Sequence, residues 1–313
     1  MKTRALGPSG LQVSELGLGC NNFGARLDEA GTRAVVGAAL EAGINFFDTA
    51  DTYGNKGGSE TLLGKILGDR RKDVILATKF ASPMRDGVRR DASRRYIMQA
   101  VEASLARLGT DWIDVYYLHW PDPLTPMEET LRALDDLVHS GKVRYIGASN
   151  LAAWQMVDAE WIARELGLNR FICMQNEYSL VERAPEAELL PALHAYGLSL
   201  VPYFPLAAGL LTGKYRRARE VPEDSRFAHW KHLSDRYQTE ANWKRVEKLE
   251  SWCSGHGHSL LELAFAWLLA RSEIASVIAG ATRPAQIQGN ARAIEWQMDP
   301  AQRAEVDELL ASA

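Results

Sequence analysis

Three ionisable side chains stand at the ends of apolar runs. Asp48 closes Asn45-Phe46-Phe47, Lys79 closes Ile75 to Thr78, and His119 closes Val115 to Leu118. Tyr53 follows Asp48 by five residues. A carboxylate, an ammonium, an imidazole and a phenol are groups that hold or move protons. Taken singly, each also has a structural reading, a Lys–Asp ion pair or a hydrogen-bonded core histidine. Together they are harder to explain by packing, because a charge set in a strand for packing alone is costly. If the apolar runs are parallel strands of one barrel, their C-terminal ends converge on one mouth and the four side chains meet there.

The rest of the chain supplies such strands. Short runs rich in Val, Ile, Tyr and Phe alternate with amphipathic stretches that open on a capping residue and close on Gly. Asp28 opens a helix carrying Val35, Val36, Ala39 and Leu40, and Asn45 to Ala50 reads as a strand. Ser59 opens the next helix, followed by strand Val74 to Phe80, a helix carrying Ile97, Val101, Leu105 and Leu108, and strand Ile113 to His119. Strands at Tyr145 to Ser149, Phe171 to Gln175, Ser199 to Tyr203 and Ile274 to Ala279 continue the alternation, with helices between them. About eight such units without a linker leave a closed (β/α)8 barrel or a doubly wound sheet, and 313 residues favour the barrel.

The expectation is therefore an α/β fold, a (β/α)8 TIM barrel in one domain over residues 1–313. Thr3 to Val13, centred on Pro8-Ser9-Gly10, reads as an N-terminal β-hairpin capping the barrel floor. Residues 207–258 read as a long loop plus an extra helix between strands 7 and 8, and Ala301 to Leu310 as a C-terminal helix. A connection that long is usually functional.

Composition excludes several classes. With 46% hydrophobic and 24% charged residues the chain is an ordinary globular one, and 36 basic against 40 acidic residues argue for neither a nucleic-acid nor a membrane partner. No run of about 18 apolar residues occurs, and the three cysteines, Cys20, Cys173 and Cys253, make no C-x-x-C. A cytoplasmic location without disulfides is expected. Gly64-Lys65 lacks the spacing of a P-loop, Gly17, Gly19 and Gly24 do not make G-x-G-x-x-G, and Ser149 is followed by Asn150 and not by the x-G of a nucleophile elbow. His229/His232 and His256/His258 lack partnering ligands for a metal, so none is expected.

The motifs FDTADTYG (Phe47 to Gly54), ATKF (Ala77 to Phe80), YYLHWPD (Tyr116 to Asp122), IGASN (Ile146 to Asn150), MQNEYS (Met174 to Ser179), PYFPLAAGLLTGKY (Pro202 to Tyr215) and IAGATRPAQIQGN (Ile278 to Asn290) run in order along essentially the whole chain. Taken together, they resemble the aldo-keto reductase family. The resemblance implies carbonyl–alcohol interconversion with NADPH/NADP+, bound extended without a Rossmann domain, and a small-molecule carbonyl or alcohol as partner.

On that resemblance Asp48, Tyr53, Lys79 and His119 are the catalytic set. Tyr53 would give the proton while the nicotinamide gives the hydride. A phenol has a pKa of about 10, and Lys79, held by Asp48, is expected to lower it. His119 would direct a ring N–H at the substrate oxygen. Gly19, Cys20 and Asn21 would face the cofactor with Asp48. Ser149, Asn150 and Gln175 would bind its carboxamide, and Tyr203 would stack on its ring. Phe204, Pro205, Leu206, Gly209, Leu211, Gly213 and Lys214 would follow the pyrophosphate. Gly280, Thr282, Arg283 and Gln286 would meet the 2′-phosphate at a helix start, with Asn290 on adenine. The family often has Glu before that Asn, where Gly289 stands here. Asn22, Phe23, Asn55, Phe80, Trp120, Phe227 and Trp230, with Tyr53 and His119, would line the substrate pocket. A regulatory NADPH-binding subunit, like the channel-associated β subunits of the family, is the alternative reading.

Overall fold

The computed structural model describes residues 1–84, 89–217, 219–223 and 225–311. β1 (Thr3–Ala5) and β2 (Gln12–Ser14) pair as the antiparallel hairpin. The alternation then begins with β3 (Leu16–Gly19), α1 (Glu29–Glu41), β4 (Phe46–Asp48), α2 (Tyr53–Leu67), β5 (Ile75–Phe80), α3 (Arg94–Leu108) and β6 (Ile113–Leu118). It continues with α4 (Met127–His139), β7 (Val143–Ser149), α5 (Ala153–Leu166), β8 (Phe171–Gln175), α6 (Leu189–Tyr196) and β9 (Ser199–Leu200). The chain ends with α7 (Arg226–His229), α8 (Lys231–Tyr237), α9 (Glu240–His256), α10 (Leu260–Leu269), β10 (Val277–Gly280), α11 (Pro284–Ala293) and α12 (Pro300–Ala311).

The eight strands β3 to β10 form one parallel sheet in the order β10-β3-β4-β5-β6-β7-β8-β9. The two edges meet where Leu200 bridges Ile274 and the Ile278 amide donates to the Pro202 carbonyl at 3.0 Å. The sheet is thus a (β/α)8 barrel with no open edge. At this seam β9 and β10 are shorter than the sequence suggests, because the pairing is carried by single backbone bonds and not by a regular ladder.

Side chains alternate across the sheet with the period of a strand. Ala77, Val115, Tyr117 and Cys173 fill the barrel interior, whose floor is sealed by Leu6 and Val13 of the hairpin segment. Leu76, Tyr116, Leu118 and Ile146 face outward and pack with the helices. Arg4 fastens the hairpin by donating to the carbonyls of Leu269, Arg271 and Ile274 and to Glu15. The helix starts follow the expected chemistry: Asp28 accepts from the Gly31 amide at 2.9 Å, and Ser259 with Glu262 makes a reciprocal capping box.

Two segments differ from the sequence reading. The helical segment after β4 begins at Tyr53 and not at Ser59, but Gly54, Asn55, Lys56 and Gly57 all have positive φ, so its first turn is left-handed. At Gly54 (φ 67°) a Cβ would lie 2.3 Å from the Phe23 carbonyl oxygen, so the residue after Tyr53 must be Gly. The long connection holds α7 and α8 before the expected extra helix, α9, because Phe227, Leu233 and Tyr237 are buried and pin it to the barrel top. Tyr215 stacks on Phe227 at 4.4 Å.

Candidate active site

A cavity of about 700 Å³ opens at the C-terminal mouth of the barrel. At its base Lys79 Nζ donates to Asp48 Oδ2 and to the Thr49 carbonyl, each at 2.7 Å, and Gln175 Nε2 donates to Asp48 Oδ1 at 2.9 Å. β4 and β5 are neighbours, with Asp48 opposite Ala77, which brings the carboxylate of one strand to the ammonium of the next. Lys79 Nζ lies 4.9 Å from the centre of the Tyr53 ring. The His119 ring meets Tyr53 edge-on, with ring centres 5.8 Å apart, and lies beside Trp120. The four side chains at the strand tips are therefore one cluster.

Burial sets their charge. Burial raises the Tyr53 phenol above its ordinary value of 10.0, and the pull of Lys79 in the opposite direction is smaller. The expectation that Lys79 lowers this phenol is corrected: the ammonium acts as expected, but desolvation of a phenolate outweighs it. Burial works against the Lys79 ammonium, yet Asp48 and Tyr53 more than compensate and its pKa rises. Burial, with Lys79 and Arg90, drives His119 well below its ordinary value, so the ring is neutral at pH 7. Ser82 Oγ lies 2.9 Å from His119 Nδ1, which leaves Nε2 for the cavity.

Amide and hydroxyl side chains form the wall beside this cluster. Asn150 Nδ2 donates to the His119 carbonyl at 2.9 Å and to Ser149 Oγ, and Asn150 Oδ1 accepts from the Tyr203 hydroxyl at 2.8 Å. Ser149 Oγ donates to the Gln175 carbonyl at 2.6 Å. Farther along, Phe204, Ala207, Ala208, Gly209 and Gly213 all have positive φ. The amides of Ala207, Gly209 and Leu211 donate to the carbonyls of Phe204 and Leu206, which holds this segment as a tight loop along the cavity. The far end is made by Gly280, Thr282, Gln286 and Asn290, where Gln286 Oε1 accepts from the Thr282 amide at 2.7 Å.

Of the residues expected at a cofactor, Gly19, Cys20, Asn21, Asp48, Ser149, Asn150, Gln175, Tyr203, Phe204, Pro205, Leu206, Gly209, Lys214, Gly280, Thr282, Gln286 and Asn290 line the cavity. Leu211 is buried behind it, and Gly213 and the exposed Arg283 lie outside its lining. Of the residues expected at a substrate, Asn22, Tyr53, His119, Trp120 and Trp230 line it. Phe23, Phe80 and Phe227 do not: each is buried in the core, where an aromatic side chain is more stable than on a wet wall. Asn55 is exposed, outside the lining.

Sequence reasoning missed Arg226, Arg236, Glu177 and Ser82, which also line the cavity. The Arg226 guanidinium lies over Phe204 and Trp230, 5.6 and 5.1 Å from their ring centres, and burial and Arg26 bring its pKa down to about 10. Glu177 accepts from Tyr237 and pairs with Arg236 at 2.7 Å, tying α8 to the mouth. For Arg226 and Arg236 the signal was the density of Arg and aromatic residues in the long connection, which does not single out individual positions, and Glu177 stood inside the MQNEYS motif.

These residues suit an elongated anionic nucleotide. An amide-rich end adjoins the proton-handling cluster, the cations Lys214 and Arg226 follow, and a helix start lies at the other end. The buried Asn22 Oδ1 in the lining has no hydrogen-bond partner among the described residues. The chain belongs to the aldo/keto reductase family, whose model matches residues 15–311. It is 39% identical over 302 residues to a probable voltage-gated potassium channel subunit beta of Oryza sativa subsp. japonica, covering 94% of this chain and 92% of that one. An Arabidopsis thaliana protein of the same description is 38% identical, over 94% and 92%. The uncharacterized oxidoreductase YrpG of Bacillus subtilis (strain 168) is 37% identical over 310 residues, 96% of this chain and 93% of that one. The family generally uses nicotinamide cofactors on small molecules. Among the described residues no helix is long and apolar enough to cross a membrane.

Proposed function

We propose that this protein is an NADPH-dependent oxidoreductase interconverting aldehydes or ketones with the corresponding alcohols, with Tyr53 as proton donor. The observation that carries this reading is the buried Asp48, Lys79, Tyr53 and His119 cluster at the base of the cavity. Bound NADPH supplies the hydride. The chain's own residues then have three tasks: to hold the carbonyl oxygen, to protonate it and to keep water out.

Tyr53 keeps its proton at neutral pH because a buried phenolate is disfavoured. Lys79 beside it stabilises the negative charge that remains once the proton has left, and Asp48 holds Lys79 in place. His119, neutral and with Nδ1 at Ser82, offers Nε2 to the same oxygen. Two donors aimed at one developing oxyanion reproduce the logic of an oxyanion hole, in which each donor contributes on the order of 10²–10³ in rate. Ser149, Asn150 and Gln175 would hold the carboxamide and Tyr203 the nicotinamide face. Lys214 and Arg226 would meet the pyrophosphate, and Thr282, Gln286 and Arg283 at the rim the 2′-phosphate. Trp120 and Trp230 would wall the substrate end.

The names of the rice and Arabidopsis relatives keep a second reading open, a regulatory subunit that binds NADPH without turnover as its main task. A screen of aldehydes, ketones and alcohols followed at the nicotinamide absorbance, with cofactor binding followed by fluorescence, separates the two. Turnover that needs Tyr53 is expected. Tight NADPH binding with no turnover of any carbonyl or alcohol would favour the regulatory reading.

A further inference from the structure

Behind the mouth, in the layer between the barrel and helices α2 and α3, lie two acidic side chains with no part in the chemistry above. Asp51 is 1% exposed and Glu60 0%. Glu60 accepts from Thr78 Oγ1 at 2.5 Å and from Arg107 Nε at 2.6 Å. Neither carboxylate oxygen of Asp51 has a well-formed hydrogen bond among the described residues, the Thr52 amide and the Tyr96 hydroxyl being weak donors to it, and the buried Tyr116 hydroxyl has no partner there. The charged and titratable groups facing Asp51 are Glu60 from α2, Arg107 and Tyr96 from α3, Lys79 from β5 and Tyr116 from β6, with Asp91 beside Tyr96.

The backbone joins Asp51 to the groups that handle the proton. Its amide donates to the Lys79 carbonyl at 3.1 Å, and the Tyr53 amide donates to the Ala50 carbonyl at 3.1 Å. The turn 50–53 therefore hangs from Lys79, with Tyr53 as its last residue. Glu60 holds Thr78, the residue before Lys79, so both acids abut the same short stretch of chain. An ionised Asp51 would lie near the Glu60 carboxylate with only neutral donors at hand, the Thr52 amide and the Tyr96 hydroxyl, and no cation paired to it among the described residues. Among the described residues the guanidinium facing Asp51 is that of Arg107, which is already bound to Glu60. An unpaired buried charge is among the costliest features a fold can contain, whereas a neutral carboxylic acid is tolerated.

We propose that Asp51 is a positioning residue, kept as a neutral acid beneath the Tyr53 turn, and that its ionisation loosens the turn that holds Tyr53 against Lys79. Burial, followed by Glu60, pushes this carboxyl up to about 8, in keeping with the geometry. The effect on turnover rests on the reading of Tyr53 and Lys79 as the proton-donating pair. The charge state of Asp51 does not.

Three variants and two readouts test it. In the wild type kcat falls on the alkaline side near pH 8 while the cofactor dissociation constant holds. Asp51→Asn, which mimics the neutral acid, keeps turnover at pH 7 and lacks that fall. Asp51→Ala loses kcat at every pH, by roughly ten- to a hundredfold, because a displacement of about an ångström at a catalytic group costs up to that much. By infrared spectroscopy the carbonyl band of a protonated carboxylic acid is present at pH 7, disappears through about pH 8 and is missing from Asp51→Asn. If Asp51→Ala does not fold, the Asn variant and the band still decide. No Asp51 band at pH 7, or an alkaline fall unchanged in Asp51→Asn, overturns the proposal. A Tyr53→Phe enzyme that keeps its turnover removes the proton-donor reading instead, and leaves the infrared result standing.

Discussion

Lys79 Nζ stands 2.7 Å from Asp48 Oδ2, and the two side chains are 0% and 4% exposed. The pair is almost fully buried at the base of an open cavity, and each charge is compensated chiefly by the other. Removing one partner of a buried ion pair typically costs about 3–5 kcal/mol, while replacing both by apolar groups is often close to neutral. Asp48→Leu is expected to lower the urea-unfolding free energy by roughly that amount, and adding Lys79→Met to recover most of it without restoring turnover. A double variant as unstable as the single one would show that the pair does not govern stability.

On the proposed mechanism, in which the phenol acts on substrate oxygen, Tyr53→Phe is expected to reduce turnover by about 10²–10⁴ while leaving NADPH affinity within a few fold. Lys79→Met should be comparably damaging, and the double variant scarcely worse than either single one, because that mechanism makes the two residues one proton-donating unit. Steady-state kinetics on a simple ketone with all three enzymes settles the grouping. Additive losses would contradict it.

On the proposed reading two arginines meet the phosphates of the cofactor. Arg226 lies inside the mouth between Phe204 and Trp230, and Arg283 on the exposed rim between Thr282 and Gln286. A charge-assisted contact contributes roughly 1.5–3 kcal/mol, on the order of ten- to a hundredfold in affinity. Arg226→Ala should weaken NADPH and NADH alike, whereas Arg283→Ala should weaken NADPH and scarcely touch NADH. Fluorescence titration of both cofactors measures this. Equal losses for the two cofactors in Arg283→Ala would remove it from 2′-phosphate recognition.

The raised pKa of Asp51 also predicts how stability varies with pH. An aspartate in the unfolded chain titrates at about 3.9, and in the folded protein Asp51 titrates at about 8. Between those values the unfolded state has released a proton that the folded state retains, so folding becomes less favourable as pH rises. The stability that Asp51 contributes is fully present below about pH 4 and lost as pH rises through about 8. Asp51→Asn, which cannot ionise, should unfold at a higher temperature than the wild type at pH 8, by roughly 2–4 °C for each kcal/mol relieved. The gap should close toward pH 4. A gap independent of pH would mean that Asp51 is not the titrating group.

The sequence alone determined the barrel and the strand tips. Short continuous apolar runs ending in Asp48, Lys79 and His119, separated by capped amphipathic helices, left a closed barrel or a doubly wound sheet, length favoured the barrel, and closure brings the strand ends to one mouth. Pro8-Ser9-Gly10 marked the floor hairpin in the same local way. Tertiary structure decided what residue type leaves ambiguous. Phe23, Phe80 and Phe227 suit a core as well as a pocket wall, and only the packing around each put them in the core. Glu177 met Arg236 and Tyr237 because the long connection folds back over β8, and Asp51 met Glu60 because α2 turns behind β5. The direction of the Tyr53 pKa shift was beyond the sequence for the same reason. The Lys79 charge can be read from its letter, but desolvation depends on how many atoms from distant segments surround the phenol, which exists only once the chain has closed on itself.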